Sequence, residues 1–274
     1  MYVPVAIQWL LLAARYRSLS LPLIANPGIP LSGMVGVSKS AVFDLAGDYA
    51  RQWILPWILV EVEDQSLQRQ CQMAKQALTA AGLEYPLVGK PNMGCRGVGV
   101  RLLKDDAELA DYLQGFPAGG CIQFQKLSQW DAEAGVFYVR DPEKATGEVT
   151  SLTLKYTPFV VGDGERQLGE LVAADARAGE LLHLYRSRHV ARWHDVIPRG
   201  EPYRLVFAAS HSRGAIFRDA GELISQKLSQ SLDKIFEDIP GFYYGRLDVK
   251  FKNIECLSAG LEFNIIEING ASSE

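Results

Sequence analysis

The chain has 274 residues, 48% hydrophobic and 22% charged, an ordinary globular make-up that excludes a disordered or fibrous protein and suits one large domain or two smaller ones. A net charge of −4 excludes a global basic field of the kind that recruits nucleic acid or an anionic membrane. Four cysteines (Cys71, Cys95, Cys121, Cys256) lack CxxC spacing, so neither a disulfide framework nor a zinc site is expected, and a reducing cytoplasm is the expected compartment.

Residues 1–15 form an apolar run closed by Arg15 and Arg17. It falls short of the roughly 20 apolar residues that span a bilayer, so no transmembrane segment is expected. A buried or interfacial helix is, and peripheral membrane contact stays open. Asn26-Pro27-Gly28 breaks the structure, and a helix opens near Lys39. A strand over 53–62, broken by Pro56, precedes a helix over 64–81 that stops at Gly82.

The stretch 85–100 reads as an apolar strand ending on Lys90, a loop carrying Gly94, Gly97 and Gly99, and a second strand over 98–103. Glycines there let backbone N–H groups turn inward as a concave anion site. No Gly-Lys-Ser/Thr follows and no helix opens at the glycines, so neither the Walker loop nor the dinucleotide fingerprint fits; a plain glycine-rich turn is the other reading. A helix to about Leu113, a strand over 119–127, a strand over 136–140 and a strand over 149–161 carrying Lys155 come next. Helices over 167–184 and 222–238 flank a strand over 203–210.

Two strands close the chain, over 242–251 and 261–269, with a hairpin loop over 253–260. Centring the hairpin between Leu257 and Ser258 puts Asp248 opposite Glu267 and Arg246 opposite Asn269, all four on one face. Facing carboxylates repel, so positive charge is expected between them. Oxygen ligands from Asp, Glu and Asn suit a hard cation such as Mg²⁺. A solvated face neutralised by Arg246 and Lys250 is the alternative.

The order of Lys39, LVGKPNMGCRGVGV, Gln125-Lys126-Leu127, Glu133, VVGDG, GRLD and EIN resembles the ATP-grasp superfamily, in its carboxylate–amine ligase branch of D-alanine–D-alanine ligases and cyanophycin synthetase-like proteins. The resemblance implies an α/β (α+β) ATP-grasp fold of two subdomains, each with a mainly antiparallel sheet, holding the nucleotide between them. The expected division is an apolar segment 1–38, a smaller subdomain 39–125 and a larger one 126–274.

It further implies that Lys39 and Lys90 reach the ATP phosphates, with the loop around Gly94, Arg96 and Gly97 closing over them. Gln125, Lys126 and Leu127 would meet adenine, Glu133 the ribose and Lys155 the terminal phosphate. Asp248, Glu267 and Asn269 would hold one or two Mg²⁺, with Mn²⁺ as a substitute, and Arg246 would stabilise the transferring phosphoryl group. The implied activity is ATP-dependent joining of a carboxylate to an amine, amino acids among the candidates, through an acyl phosphate. A small-molecule kinase and a non-catalytic nucleotide-binding module are the alternatives, and a homodimer is left open. Only about 38 residues precede Lys39, where D-alanine–D-alanine ligases carry a folded domain, and the substrate is not legible.

Overall fold

The computed structural model describes residues 3–94 and 97–272. In chain order the elements are α1 (Val3–Tyr16), α2 (Ser40–Leu45), α3 (Asp48–Arg51), β1 (Trp57–Glu61), α4 (Leu67–Ala80), β2 (Leu87–Pro91), β3 (Arg101–Leu103), α5 (Asp106–Gln114), β4 (Cys121–Lys126) and β5 (Ala132–Val139). They continue with β6 (Glu148–Tyr156), β7 (Phe159–Val161), α6 (Leu168–Ala174), α7 (Leu182–Arg188), β8 (Pro202–Arg204), β9 (Ile216–Asp219), α8 (Gln226–Glu237), β10 (Tyr244–Phe251), α9 (Ile254–Ser258) and β11 (Phe263–Asn269). The architecture is mixed α/β, and the registered strand pairs are antiparallel. No described helix is long and apolar enough to cross a membrane.

The chain forms two compact units, each discontinuous in sequence: 1–56, 128–153 and 219–274 in the first, 57–127 and 154–218 in the second. Residues 154–218 thus lie with 57–127, and Lys39 lies with the C-terminal hairpin.

In the first unit, β10 runs between β11 and β5, antiparallel to both. Alternation sorts its side chains: Leu247, Val249 and Phe251 go to the core, while Arg246, Asp248 and Lys250 take the other face. Under the core face, Tyr138 stacks on Phe236 at 4.3 Å and donates its hydroxyl to Asp233, which also accepts from the Gly147 N–H. Burial and the Asp233 bond push the Tyr138 phenol far above its usual range. The second unit contains a four-stranded sheet in the order β1-β4-β2-β3. Leu87, Leu103, Ile122 and Phe124 pack there against Leu78, Leu109 and Leu113. A second core, around Leu168, Val172, Tyr185 and Ile197, supports β7 and β8.

Several expected elements are cut differently, each for a local reason. The helix expected over 167–184 is two, because Asp175 turns its carboxylate onto the N–H groups of Arg177 and Ala178 and ends the first. The strand expected over 203–210 stops at Arg204, whose guanidinium bonds the carbonyls of Val206 and Phe207 instead. Thr157-Pro158 separates β6 from β7 within the expected strand 149–161. The hairpin loop at 253–260 holds the short helix α9, capped by Asn253 accepting from the Cys256 N–H.

Candidate active site

The hairpin register is the one the sequence implies: Arg246 pairs with Asn269 and Asp248 with Glu267. The pairing then slips, with a bulge after Asp248, so that Val249 meets Ile265. On the other side of β10, Asp248 faces Gly135 and Lys250 faces Glu133. Gly135 brings no side chain to that face.

Each acid on this face is matched to a cation of the same unit. Arg246 Nε donates to Asp248 Oδ1 at 3.1 Å, and Lys39 Nζ, at the start of α2, lies 3.2 Å from Glu267 Oε1. Lys250 Nζ lies 3.0 Å from Glu133 Oε2 and donates to the Asp131 carbonyl. The neutralising cations are thus Arg246 and Lys39, while Lys250 serves Glu133. Asp248, Glu267 and Asn269 offer two carboxylates and an amide oxygen, the hard donor set that Mg²⁺ takes when nucleotide phosphates and waters complete its shell. Among the described residues no group of three or more His, Cys, Asp or Glu side chains suited to a metal occurs, so the amide of Asn269 is part of any such set.

Behind the hairpin lies a clamp that sequence reasoning took for a simple break. Asn26 is fully buried; its Oδ1 accepts from the N–H groups of Tyr243 and Tyr244, and its Nδ2 donates to the carbonyls of Tyr244 and Ser32. The Ser32 carbonyl also accepts from the Ala271 N–H, just past β11. A Cβ on Gly33, at φ +77°, would fall 2.6 Å from the Gly270 Cα. One loop thereby fixes the start of β10 and the end of β11, where Arg246 and Asn269 stand.

In the second unit, β2 and β4 present a different set. Lys90 lies opposite Gln123, and Val88 opposite Gln125, so Lys90, Gln123 and Gln125 share the sheet face turned away from Phe124 and Ile122. Lys90 is 5% exposed and donates to Gln125 Oε1 at 2.9 Å. Gln123 is fully buried, and neither its amide oxygen nor its nitrogen has a hydrogen-bond partner among the described residues. An orphaned buried amide is costly and calls for a ligand or water to complete it. Gln123 was not singled out from the sequence, although Ile122-Gln123-Phe124-Gln125 carries the signal: amides alternating with apolar residues mark a polar face on a buried strand.

Gly97 and Gly99 adopt φ of +69° and +74°, and a Cβ on Gly99 would sit 2.6 Å from Pro91 Cγ. Gly97 passes close to Arg213, a Cβ there falling 3.4 Å from its Nη1; burial, then the nearby Arg188, lowers the Arg213 pKa. Gly94 is exposed, and Arg96 lies outside the described residues. Lys126 is exposed at the end of β4, and Leu127 follows it half-buried. Lys155 on β6 sits 5.9 Å from the Phe217 ring centroid, on the same unit as Lys90. Lys90, Gln125 and Lys155 thus belong to one unit, and Lys39, Glu133, Arg246, Asp248, Glu267 and Asn269 to the other.

Neither a protein-family model nor a curated protein sequence matches the chain. Among solved structures, VanG D-Ala:D-Ser ligase from Enterococcus faecalis is similar at 12% identity and TM-score 0.48, over 88% of this chain and 53% of that one. The D-alanine–D-alanine ligase from Coxiella burnetii is similar at 11% identity and TM-score 0.46, over 95% and 54%. A bifunctional glutathione synthetase from Pasteurella multocida is similar at 16% identity and TM-score 0.40, over 84% and 32%. The chain spans about half the length of the two ligases and a third of the synthetase. At these values the similarity assigns no residue role to this chain.

Proposed function

We propose that the chain is an ATP- and Mg²⁺-dependent ligase of the ATP-grasp type, acting in the cytoplasm and joining a carboxylate to an amine through an acyl phosphate. The observation that carries this reading is the hairpin register, which lines up Arg246, Asp248, Glu267 and Asn269 on one strand face with Lys39 beside them. Asp248, Glu267 and Asn269 would hold the metal. When bound, Mg²⁺ offsets the negative charge of the nucleotide phosphates.

The rest of the task falls to side chains and backbone that position charge, since phosphoryl transfer needs little covalent chemistry from the protein. Lys90 and the N–H groups of the loop around Gly97 orient the phosphates. Arg246 stabilises the charge that builds up as the phosphoryl group passes to the substrate carboxylate. The amine then attacks the acyl carbon and inorganic phosphate leaves. Gln123 and Gln125 supply amides for the polar edge of the nucleotide, which would complete the two orphaned atoms of Gln123.

The test is a screen for phosphate release from ATP and Mg²⁺, with amino acids and small acids offered with and without amine acceptors. Sustained release that requires both a carboxylate and an amine is expected. Phosphate retained on a single small molecule, with no need of an amine, would replace the ligase with a kinase.

A further inference from the structure

Helix α1 breaks the pattern of the rest of the molecule. Of its 14 residues only Ala13 is buried. Trp9, Leu10, Leu11 and Leu12 are 45%, 62%, 67% and 44% exposed. Successive helix positions are about 100° apart, so four consecutive residues go most of the way round. The apolar surface is therefore not a stripe awaiting one groove; apolar groups point in nearly every direction that the contact at Ala13 leaves open. A protein partner seated on one side would leave the other side wet, whereas a lipid phase covers all of it.

The charges agree with such a surroundings. The chain carries −4 overall, yet residues 1–43 contain no Asp or Glu and three cations, Arg15, Arg17 and Lys39. Lys39 is engaged by Glu267, while Arg15 and Arg17 are exposed just where the apolar run ends. Past them the apolar character resumes, with Leu19 and Ile24 each 65% exposed, and Trp9 Nε1 donates to the Leu19 carbonyl at 3.3 Å, tying this return to the helix. At 1.5 Å per residue the helix is about 21 Å long, too short for a hydrocarbon core of roughly 30 Å. It suits immersion at the boundary of one leaflet, with the arginines at the level of the headgroups.

We infer that α1 and the segment to Ile24 dock the protein on a bilayer surface bearing anionic phospholipid. The partner is read from local charge, since the negative balance of the chain lies outside this segment. The inference is independent of the proposed ligase activity, and its test does not use ATP.

The full chain is sedimented with vesicles of phosphatidylcholine alone and of phosphatidylcholine mixed with phosphatidylglycerol, at low and high salt. Binding to the anionic vesicles is expected, with a lower affinity at high salt. Arg15→Glu combined with Arg17→Glu should weaken it by roughly tenfold or more. Leu10→Glu combined with Leu11→Glu should abolish it, with circular dichroism and melting temperature unchanged because these side chains touch little of the protein. A chain that stays in the supernatant, or that binds equally well with Glu at 10 and 11, would overturn the inference. So would sedimentation velocity showing a dimer that the Leu10→Glu/Leu11→Glu variant dissociates while no vesicle binding occurs; the covering surface would then be a second copy.

Discussion

The β10–β11 hairpin and the β2–β4 pair both carry polar and charged side chains on a sheet face, and they satisfy them by opposite means. On the hairpin each acid has a cation of its own unit, Arg246 for Asp248, Lys39 for Glu267 and Lys250 for Glu133. On β2–β4 a buried ammonium is held by a neutral amide, and the neighbouring amide of Gln123 has no partner among the described residues. Each described hairpin acid has a cation; on the β2–β4 face the Gln123 amide is left without a hydrogen-bond partner among the described residues. A ligand should therefore alter the stability of the second face more than that of the first, and substitutions should separate the two.

The largest effect belongs to the hairpin and concerns turnover. Asp248→Asn should lower ATP consumption by on the order of a hundredfold or more. Its melting temperature should stay within about 2 °C of the parent, since Arg246 keeps a polar neighbour and partial access to water. Parallel measurement of phosphate release and thermal unfolding separates the two quantities. A fall in both would mean that Asp248 holds the sheet together rather than the chemistry.

Asn26→Ala should do the reverse. It strands the buried N–H groups of Tyr243 and Tyr244 and the carbonyls that Nδ2 served, and should cost about 3 kcal/mol of stability by denaturant titration. Asn26→Asp, which keeps the acceptor and loses the donor, should recover only part of it.

On β2–β4, Lys90→Met replaces a buried cation by an apolar chain of similar length. Nucleotide affinity should drop by roughly 30-fold, the scale of a charged hydrogen bond. The readout is the shift of melting temperature on adding nucleotide, large in the parent and nearly absent in the variant. Gln123→Leu is the gentler version: it removes both orphaned atoms and should raise ligand-free stability by about 1 kcal/mol while shrinking the nucleotide-induced shift. A Gln123→Leu variant less stable than the parent would show that water already completes the amide.

The smallest effect is a pH dependence in the VVGDG turn. The Arg166 side chain, helped by the N–H groups of Arg166 and Glu165, holds the Asp163 carboxyl well below the usual carboxylate range. A pKa lowered by folding contributes stability above the unfolded value near 4, and that contribution is lost as pH falls toward the folded value. Asp163→Asn should thus lower stability slightly near neutrality, where the contribution is fully present, and flatten the acid side of the stability curve below about pH 4. The Asp163 side chain is partly exposed, so the effect is expected to be small.

How far the sequence foretold each region follows from the range of the forces involved. The hairpin could be read because a strand alternates with period two and an antiparallel pair has one centre; two residues then place four. The pairs nearest α9, Val249 with Ile265 to Phe251 with Phe263, are centred on Leu257, and the extra β11 residue at the bulge moves the centre to between Leu257 and Ser258, so the site register depends on a bulge that alternation does not foretell. Lys39 was placed with Lys90 by chain order, but its partner Glu267 is more than 200 residues away, a contact no local pattern encodes. The same holds for the joining of 154–218 to 57–127, which no Pro/Gly-rich or charged linker announces. The apolar run at 1–15 reads as a buried or interfacial helix; which of the two holds is not local information, since exposure depends on what the remainder of the fold leaves uncovered.

The most direct test of the central claim follows one oxygen atom. A carboxylate substrate found by the phosphate-release screen is labelled with heavy oxygen in its carboxyl group, and the inorganic phosphate released with ATP and amine is analysed by mass spectrometry. Formation of an acyl phosphate followed by attack of the amine at carbon predicts that each phosphate carries one labelled oxygen and that the amide product retains the other. Unlabelled phosphate accompanying product formation would contradict it, and with it the assignment of the β10–β11 face to carboxylate activation.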